Sequence, residues 1–364
     1  MSMGTSMPVS LAEPTKECRA KQFVETAYQT FLVAGTAVGG ITDRYFSIGP
    51  KIIRMRFAGS VLVPYFTEAL EHLACFPCKS PSLTVCFFDS YSTRTNMPPP
   101  PWAWDDYGRH GEITGFNTGR VHTVYSPAIE SINTIDMDRA LAIYWSRTYE
   151  AIPTWERSFP MRTILHWWTQ GMPLQPIHAG AVGHGDGGVL ITGKSGSGKT
   201  TTTLSCLDSD LLYAGDDFVL AQTEPLPWVY SLYNSAKLES HNLARFQHLE
   251  AHISNPDRLP DEKAVLYLNQ GFPHKLTSGF PIRGIVVPRV TGLRDSRIVP
   301  ASPSVGLKAL APTTVFQLPS GNGQVFQKLS ALVRKVPVFI LEAGTELSQI
   351  PRAISGLLET LRPK

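Results

Sequence analysis

One stretch constrains the fold more than any other: Gly188-Val-Leu-Ile-Thr-Gly193-Lys-Ser-Gly-Ser-Gly198-Lys199-Thr200-Thr201. The apolar run at 189–191 reads as a buried β-strand, the glycine-rich segment as a loop, and residues 201–207 as the start of a helix. The spacing G-x-x-x-x-G-K-[ST] is the P-loop pattern, and here it has the strand and helix that give the pattern meaning. Without them it would be a Gly/Ser surface loop. Gly193, Gly196 and Gly198 let the backbone turn with positive φ and approach a phosphate closely. The consecutive N–H groups of Lys194, Ser195, Gly196, Ser197, Gly198, Lys199 and Thr200 then form an anion cradle at a helix N-terminus, which Thr201 continues. Lys199 adds a mobile cation for the β/γ-phosphates, and the Thr200 hydroxyl can hold Mg²⁺.

A second stretch, Leu211-Leu-Tyr-Ala-Gly-Asp216-Asp217-Phe-Val-Leu220, reads as a short apolar strand interrupted by two carboxylates. Adjacent acids among buried residues repel each other and lose solvation unless a cation or proton is shared there. Beside a P-loop the simplest cation is Mg²⁺. The alternative is an exposed Asp-Asp turn.

The chain has 364 residues, enough for two domains, and 43% hydrophobic residues, enough for sizeable cores. A net charge of +3 gives no strong field for a nucleic acid or a membrane surface. The 29 prolines and 29 glycines imply many turns and short elements. Cys18, Cys75, Cys78, Cys86 and Cys206, with no secretory signal, fit a reducing cytosol, so a cytoplasmic protein is expected. No apolar run reaches the roughly 20 residues that cross a bilayer. His72, Cys75, Cys78 and Cys86 contain one C-x-x-C, not two, and Cys86 sits in an alternating apolar strand. They read as free thiols rather than a zinc site.

Taken in order, residues 1–20 read as a flexible tail and 21–150 as a smaller α/β domain. Within it, 52–57 and 83–88 are expected strands, 61–75 an amphipathic helix, and 119–125 and 131–136 further strands. Met97-Pro-Pro-Pro-Pro101-Trp102 reads as a stiff extended connection rather than a recognition sequence. Residues 138–170 have aromatic residues at helical spacing and are expected as a packing helix pair, with a boundary near 150. Residues 151–364 form the second expected domain. His178 lies on an expected strand (174–182) that turns back into the P-loop strand, which would bring it near the phosphates; a structural role is equally open to it. Lys237 could meet a phosphate or an acidic substrate, or be a surface lysine. Residues 240–263 are polar, a candidate mobile or substrate-binding segment. Arg283 and Arg289 stand towards the two ends of an apolar strand, where an arginine can neutralise charge during phosphoryl transfer. A short helix at 303–310, a turn at 316–323, a helix at 324–334, a strand at 338–341 and a closing helix at 347–361 complete the chain.

At Ile177-His178, at Gly188 through Thr200, and at Gly215-Asp216-Asp217-Phe-Val, the chain resembles the HPr kinase/phosphorylase group. The likeness is closer to its HPr-kinase-like serine kinase relatives. Ile282-Arg283-Gly284 resembles a downstream element of that group, and Asp-Ser-x-Ser-Thr and Pro-Pro-Pro-Pro-Trp resemble stretches in front of the kinase in the serine-kinase relatives. The resemblance is strong over 177–219 and looser beyond. It implies an HPr kinase/carboxykinase-like P-loop domain with a mixed sheet, using ATP and Mg²⁺. Lys199 and the loop bind phosphates, Thr200 and Asp217 hold the metal, Asp216 is the base for a serine hydroxyl, and His178 tunes or assists it. Pro281 stands where bifunctional relatives tend to carry an acid, which leaves reverse phosphorolysis open, as it is open whether HPr is a substrate. Some similar proteins are tailoring kinases of ribosomally made peptides, such as lasso peptides, acting on a C-terminal serine; a serine-bearing peptide or protein is the partner implied. The competing readings are a small-molecule kinase or phosphotransferase on the same scaffold, and a nucleotide-binding switch. The oligomeric state is open, a homo-oligomer included.

Overall fold

In the computed structural model, residues 14–362 are described, except 109, 110, 118, 260, 317, 318, 320 and 321. The long helix Lys16–Ala37 opens the described chain, so residues 16–20, expected as tail, are helical. Thr15 caps it by accepting from the Cys18 N–H. Ala20, Phe23, Val24, Ala27, Phe31 and Ala34 form its buried stripe.

That stripe covers one face of a six-stranded mixed sheet. Its strands are β1 (Ile41–Ile48), β2 (Lys51–Ala58), β3 (Leu83–Asp89), β4 (Val121–Ser126), β5 (Ser131–Asp136) and β6 (Leu141–Ser146), in the order β1-β2-β3-β6-β5-β4. β6 corrects the helix expected from 138. Its six residues are all buried, so the sequence shows no alternation to betray a strand. Two short helices, Thr154–Ser158 and Arg162–Trp168, follow it. The amphipathic helix expected at 61–75 is realised as an α-helical turn, Val63–Thr67, then a 3₁₀ stretch, Glu68–Leu73. Tertiary bonds compete with its helical ladder: Asn234 donates to the Glu68 carbonyl from its side chain (2.9 Å) and to the Ala69 carbonyl from its backbone (2.8 Å).

The second sheet is also mixed and has nine strands. They are β7 (Leu174–Ile177), β8 (Gly180–His184), β9 (Gly187–Ile191), β10 (Leu212–Gly215), β11 (Val219–Gln222), β12 (Trp228–Ser231), β15 (Gly279–Val290), β16 (Arg297–Ala301) and β17 (Val338–Ala343). β13 (Ser235–Leu238) and β14 (Ala264–Tyr267) form a separate antiparallel pair. Helices Pro303–Val315, Asn322–Lys335 and Gln349–Thr360 appear close to where the sequence places them. The turn expected at 316–323 falls largely on residues outside the described ones. One apolar cluster joins the two sheets: Phe66, Phe87 and Tyr144 pack with Phe159, Leu165, Phe218 and Tyr267.

Two single-strand expectations are corrected by the same feature. Residues 174–182 divide into β7 and β8, and 211–220 into β10 and β11. β7 pairs β11 (Ile177 opposite Val219), while β8 pairs β10 (Ala181 opposite Gly215). The ladder between the two segments is interrupted at 178–179 and 216–218 and resumes in the same register, with β10 and β7 at opposite ends of the strand order. Gly180 borders this break because nothing larger fits. A Cβ there would stand 2.5 Å from the Thr203 methyl and 3.0 Å from the Asp216 carbonyl oxygen.

Phe66 is fully buried, with its ring 4.7 Å from Phe87 and 4.5 Å from Tyr144. Phe66→Ala is expected to lower unfolding stability by about 3–5 kcal/mol. Urea denaturation followed by tryptophan fluorescence checks this, and a loss under about 1 kcal/mol would show that the cluster is not tightly packed.

Candidate active site

The residues left unpaired at the ladder break are His178 and Ala179 on one segment and Asp216, Asp217 and Phe218 on the other. The glycine loop joins them. β9 ends at Ile191, the chain turns through Gly196 (φ 76°) and Gly198 (φ 98°), and the helix Lys199–Ser205 begins. These three segments meet at a cleft of about 590 Å³, within the usual span of formed ligand sites. The loop side of the cleft is lined by Ser195, Gly196, Gly198, Lys199, Thr200 and Thr201. Lys199 is 7% exposed, and its ammonium donates to the carbonyls of Gly193 (3.0 Å) and Lys194 (3.5 Å). Burial lowers its pKa against the pull of Asp217 and Asp216.

The two acids differ in access. Asp216 is 1% exposed, and both its oxygens are occupied. Thr203 donates to Oδ1 (2.9 Å), while Thr200 (2.8 Å) and the Lys237 N–H (3.4 Å) reach Oδ2. Burial, then the neighbouring Asp217, pushes the Asp216 carboxyl up to about 6, against the hydroxyls of Thr200 and Thr203. Asp217 lines the cleft. His178 Nε2 donates to its Oδ1 at 2.6 Å, and the Lys237 ammonium lies 3.4 Å from Oδ2. Burial would raise the Asp217 carboxyl, but the His178 hydrogen bond and charge, then Lys237 and Lys199, outweigh it and hold it below the carboxylate range. The family resemblance implies the base at Asp216 and the metal at Asp217. In the fold the accessible carboxylate is Asp217, and the one tied to Thr200 is Asp216.

His178 is fixed from two sides. Its backbone N–H donates to Thr314 Oγ1 (3.1 Å), and its ring stacks on Phe218 with centroids 5.2 Å apart. Lys237 lines the cleft on β13. The segment at 240–263 is a folded cap rather than a loop: 3₁₀ turns Ser240–Arg245 and Gln247–His252 bury Phe246 and Leu249 and turn His241, Asn242 and Arg245 to the cleft. Lys263 lines the same wall, paired with Glu239 at 2.7 Å.

The two arginines do not join this group. Arg283 donates to the Asp186 carbonyl, and its side chain packs where a Cβ on Gly187 would lie. It therefore stands at the end of β9 away from the loop, roughly 16 Å along the strand, which corrects its expected catalytic place. Arg289 is exposed at the loop end of β15; its neighbour Val290 lines the cleft, but Arg289 does not. Sequence reading missed Val290, Ala343, Gly344 and Thr345, which form the wall beside the loop. They come from the ends of β15 and β17 and carry no motif.

The residues fit a magnesium–nucleotide. The Thr200 hydroxyl and the buried Asp216 carboxylate are already adjacent (2.8 Å), and a second carboxylate beside them adds to the negative charge that a cation offsets. Ser197 Oγ, in the loop itself, is buried with no partner among the described residues. Among the described residues no three His, Cys, Asp or Glu side chains converge on one metal position. Nucleotide-borne Mg²⁺ needs only one or two carboxylates besides phosphate and water. His72 instead pairs with Ser231 (2.7 Å), and Cys86 is buried in β3.

No family model matches this chain, and no curated protein matches it in sequence. Among solved structures it is similar to the Hpr(Ser) kinase/phosphatase from Coxiella burnetii. The likeness covers 52% of this chain and 99% of that one, at 11% identity and a TM-score of 0.31. It is too distant to assign chemistry to the cleft. Among the described residues no helix is long and apolar enough to cross a membrane.

On the short helix Thr154–Ser158, burial pushes the Glu156 carboxyl up to about 7, against the opposing charge of Arg162. The folded protein therefore holds this proton more tightly than the unfolded chain. The destabilisation is absent below pH ~4.5, grows as pH rises to about 7, and is complete above it. Glu156→Gln is expected to stabilise the protein by on the order of 1–3 kcal/mol at pH 8 and by nothing at pH 4. Thermal melts at both pH values check the sign.

Proposed function

We propose that the chain is an ATP- and Mg²⁺-dependent kinase that transfers the γ-phosphoryl group to a serine hydroxyl of a peptide or protein. One observation carries the reading: an ionised, accessible carboxylate, Asp217, is held by His178 and Lys237 in the cleft that the glycine loop and Lys199 line. A mere nucleotide switch has no need of such a base beside the phosphate site.

The proposed roles follow from access. Lys199 exchanges its loop carbonyls for the β/γ-phosphates, and the loop N–H groups hold the phosphate chain. Thr200 and Asp216 hold Mg²⁺, which neutralises phosphate charge. Asp217 accepts the proton of the attacking hydroxyl, a task that needs a carboxylate within hydrogen-bond reach of the acceptor. His178 orients Asp217, and Lys237 steadies charge on the acceptor side. Residues 151–364 form the catalytic domain, and 21–150 an accessory domain that docks the substrate. The sequence resemblance favours a ribosomally made precursor peptide, modified at a C-terminal serine.

Mass spectrometry of serine-bearing peptides incubated with ATP and Mg²⁺, including a precursor encoded beside this gene, tests the reading. One added phosphate on a serine is expected. Asp217→Asn should lower transfer by about 10²–10⁴-fold with nucleotide affinity nearly unchanged. Asp216→Asn should weaken Mg²⁺-dependent nucleotide binding, and Lys199→Ala should lose binding and transfer together. Near-normal turnover in Asp217→Asn would remove its assignment as base.

A further inference from the structure

We propose that Phe159 and Arg162, on the segment joining the two sheets, are positioning residues for the acid–base group, acting through Lys237 and His178. The inference rests on the phosphoryl-transfer reading of the cleft.

The Lys237 ammonium sits between two partners: Asp217 Oδ2 at 3.4 Å and the Phe159 ring, 4.3 Å from its centroid. Phe159 is 2% exposed. An aromatic ring attracts an ammonium without consuming an N–H. Lys237 therefore keeps its donors for Asp217 and for an incoming phosphate or hydroxyl, while its long chain is held in one rotamer. The second contact runs through Phe218. The His178 imidazole stacks on that ring, the Arg162 guanidinium lies 5.2 Å from its centroid, and Phe159 meets it edge-on at 5.6 Å. Phe218 is thus fixed by residues 159 and 162, and it in turn fixes the imidazole that orients Asp217.

The segment is tied down where this matters. Tyr233 donates to the Pro160 carbonyl (2.8 Å), and Ser235 donates to the Ser158 carbonyl (2.6 Å). Ser235 opens β13, the strand that carries Lys237. Met161, between the two short helices, has a left-handed φ of 59°. The same segment packs into the core shared with the first sheet through Ile164, Leu165 and Trp167.

The test separates positioning from packing by a double-mutant cycle. Phe159→Leu keeps most of the volume and removes the ring. It is expected to lower kcat for phosphoryl transfer about tenfold with the KM for ATP within twofold, whereas Phe159→Tyr retains at least half of kcat. In a Lys237→Met background, Phe159→Leu should cost less than twofold more. Equal losses in both backgrounds would show core packing alone and overturn the inference. If Phe159→Leu does not fold, Arg162→Gln is read in the same way against His178→Ala: about a fivefold fall in the wild type and none in the variant background is expected, and equal falls overturn it. A readout independent of turnover is competitive acetylation of the full chain, with Lys237 followed by mass spectrometry. Labelling should be several-fold faster in Phe159→Leu, and an unchanged rate overturns the inference. Absence of transfer in the wild type would instead remove the kinase reading, while the labelling still decides whether the ring shields Lys237.

Discussion

The site depends on two adjacent carboxylates at a break in a strand ladder, one buried and one facing the cleft. Two unit charges ~4 Å apart at an effective dielectric of ~20 interact by about 4 kcal/mol, so neighbouring acids need compensation. The fold compensates them unequally. Asp217 has the imidazole of His178 and the ammonium of Lys237, and it stays ionised. Asp216 has only neutral donors, from Thr200, Thr203 and the Lys237 backbone, and its carboxyl is pushed up. That asymmetry leaves Asp216 as the acid with most to gain from a further cation, and Asp217 as the ionised carboxylate that faces the cleft.

The topology creates the asymmetry. β7–β8 and β11–β10 run as one paired ladder in a single register, interrupted by a gap at 178–179 and 216–218. Residues in a regular ladder alternate between faces. Here the ladder is broken, so consecutive residues Asp216, Asp217 and Phe218 take three different environments: behind the loop helix, in the cleft, and against the aromatic wall. The glycine loop arrives at the same end because β9 lies directly beside β8. The connecting segment at 154–168 closes the back of this arrangement and ties it to the core of the first sheet.

Much of this was legible in the sequence, for physical reasons that differ by residue. The strand, glycine loop and helix around Gly193 and Lys199 follow from local rules, as do the alternating strands at 52–57 and 83–88. That Asp216, Asp217 and His178 belong with the loop also emerges from the sequence. Which acid faces the cleft does not, because access is set by the pairing of segments nearly forty residues apart (His178 with Asp217). β6 was invisible as a strand because both its faces are covered. Arg283 was misplaced because a strand's composition does not reveal which of its ends lies near the loop. Phe159 and Lys263 carried no signal, since their roles arise only from what they touch.

The cleft is proposed as a magnesium–nucleotide site. Calorimetric titration of the full chain with ATP, in excess Mg²⁺ and in chelator, tests it most directly. One nucleotide per chain, bound at least tenfold more tightly with Mg²⁺, is the result predicted. No binding, or binding indifferent to Mg²⁺, would contradict the account at its root.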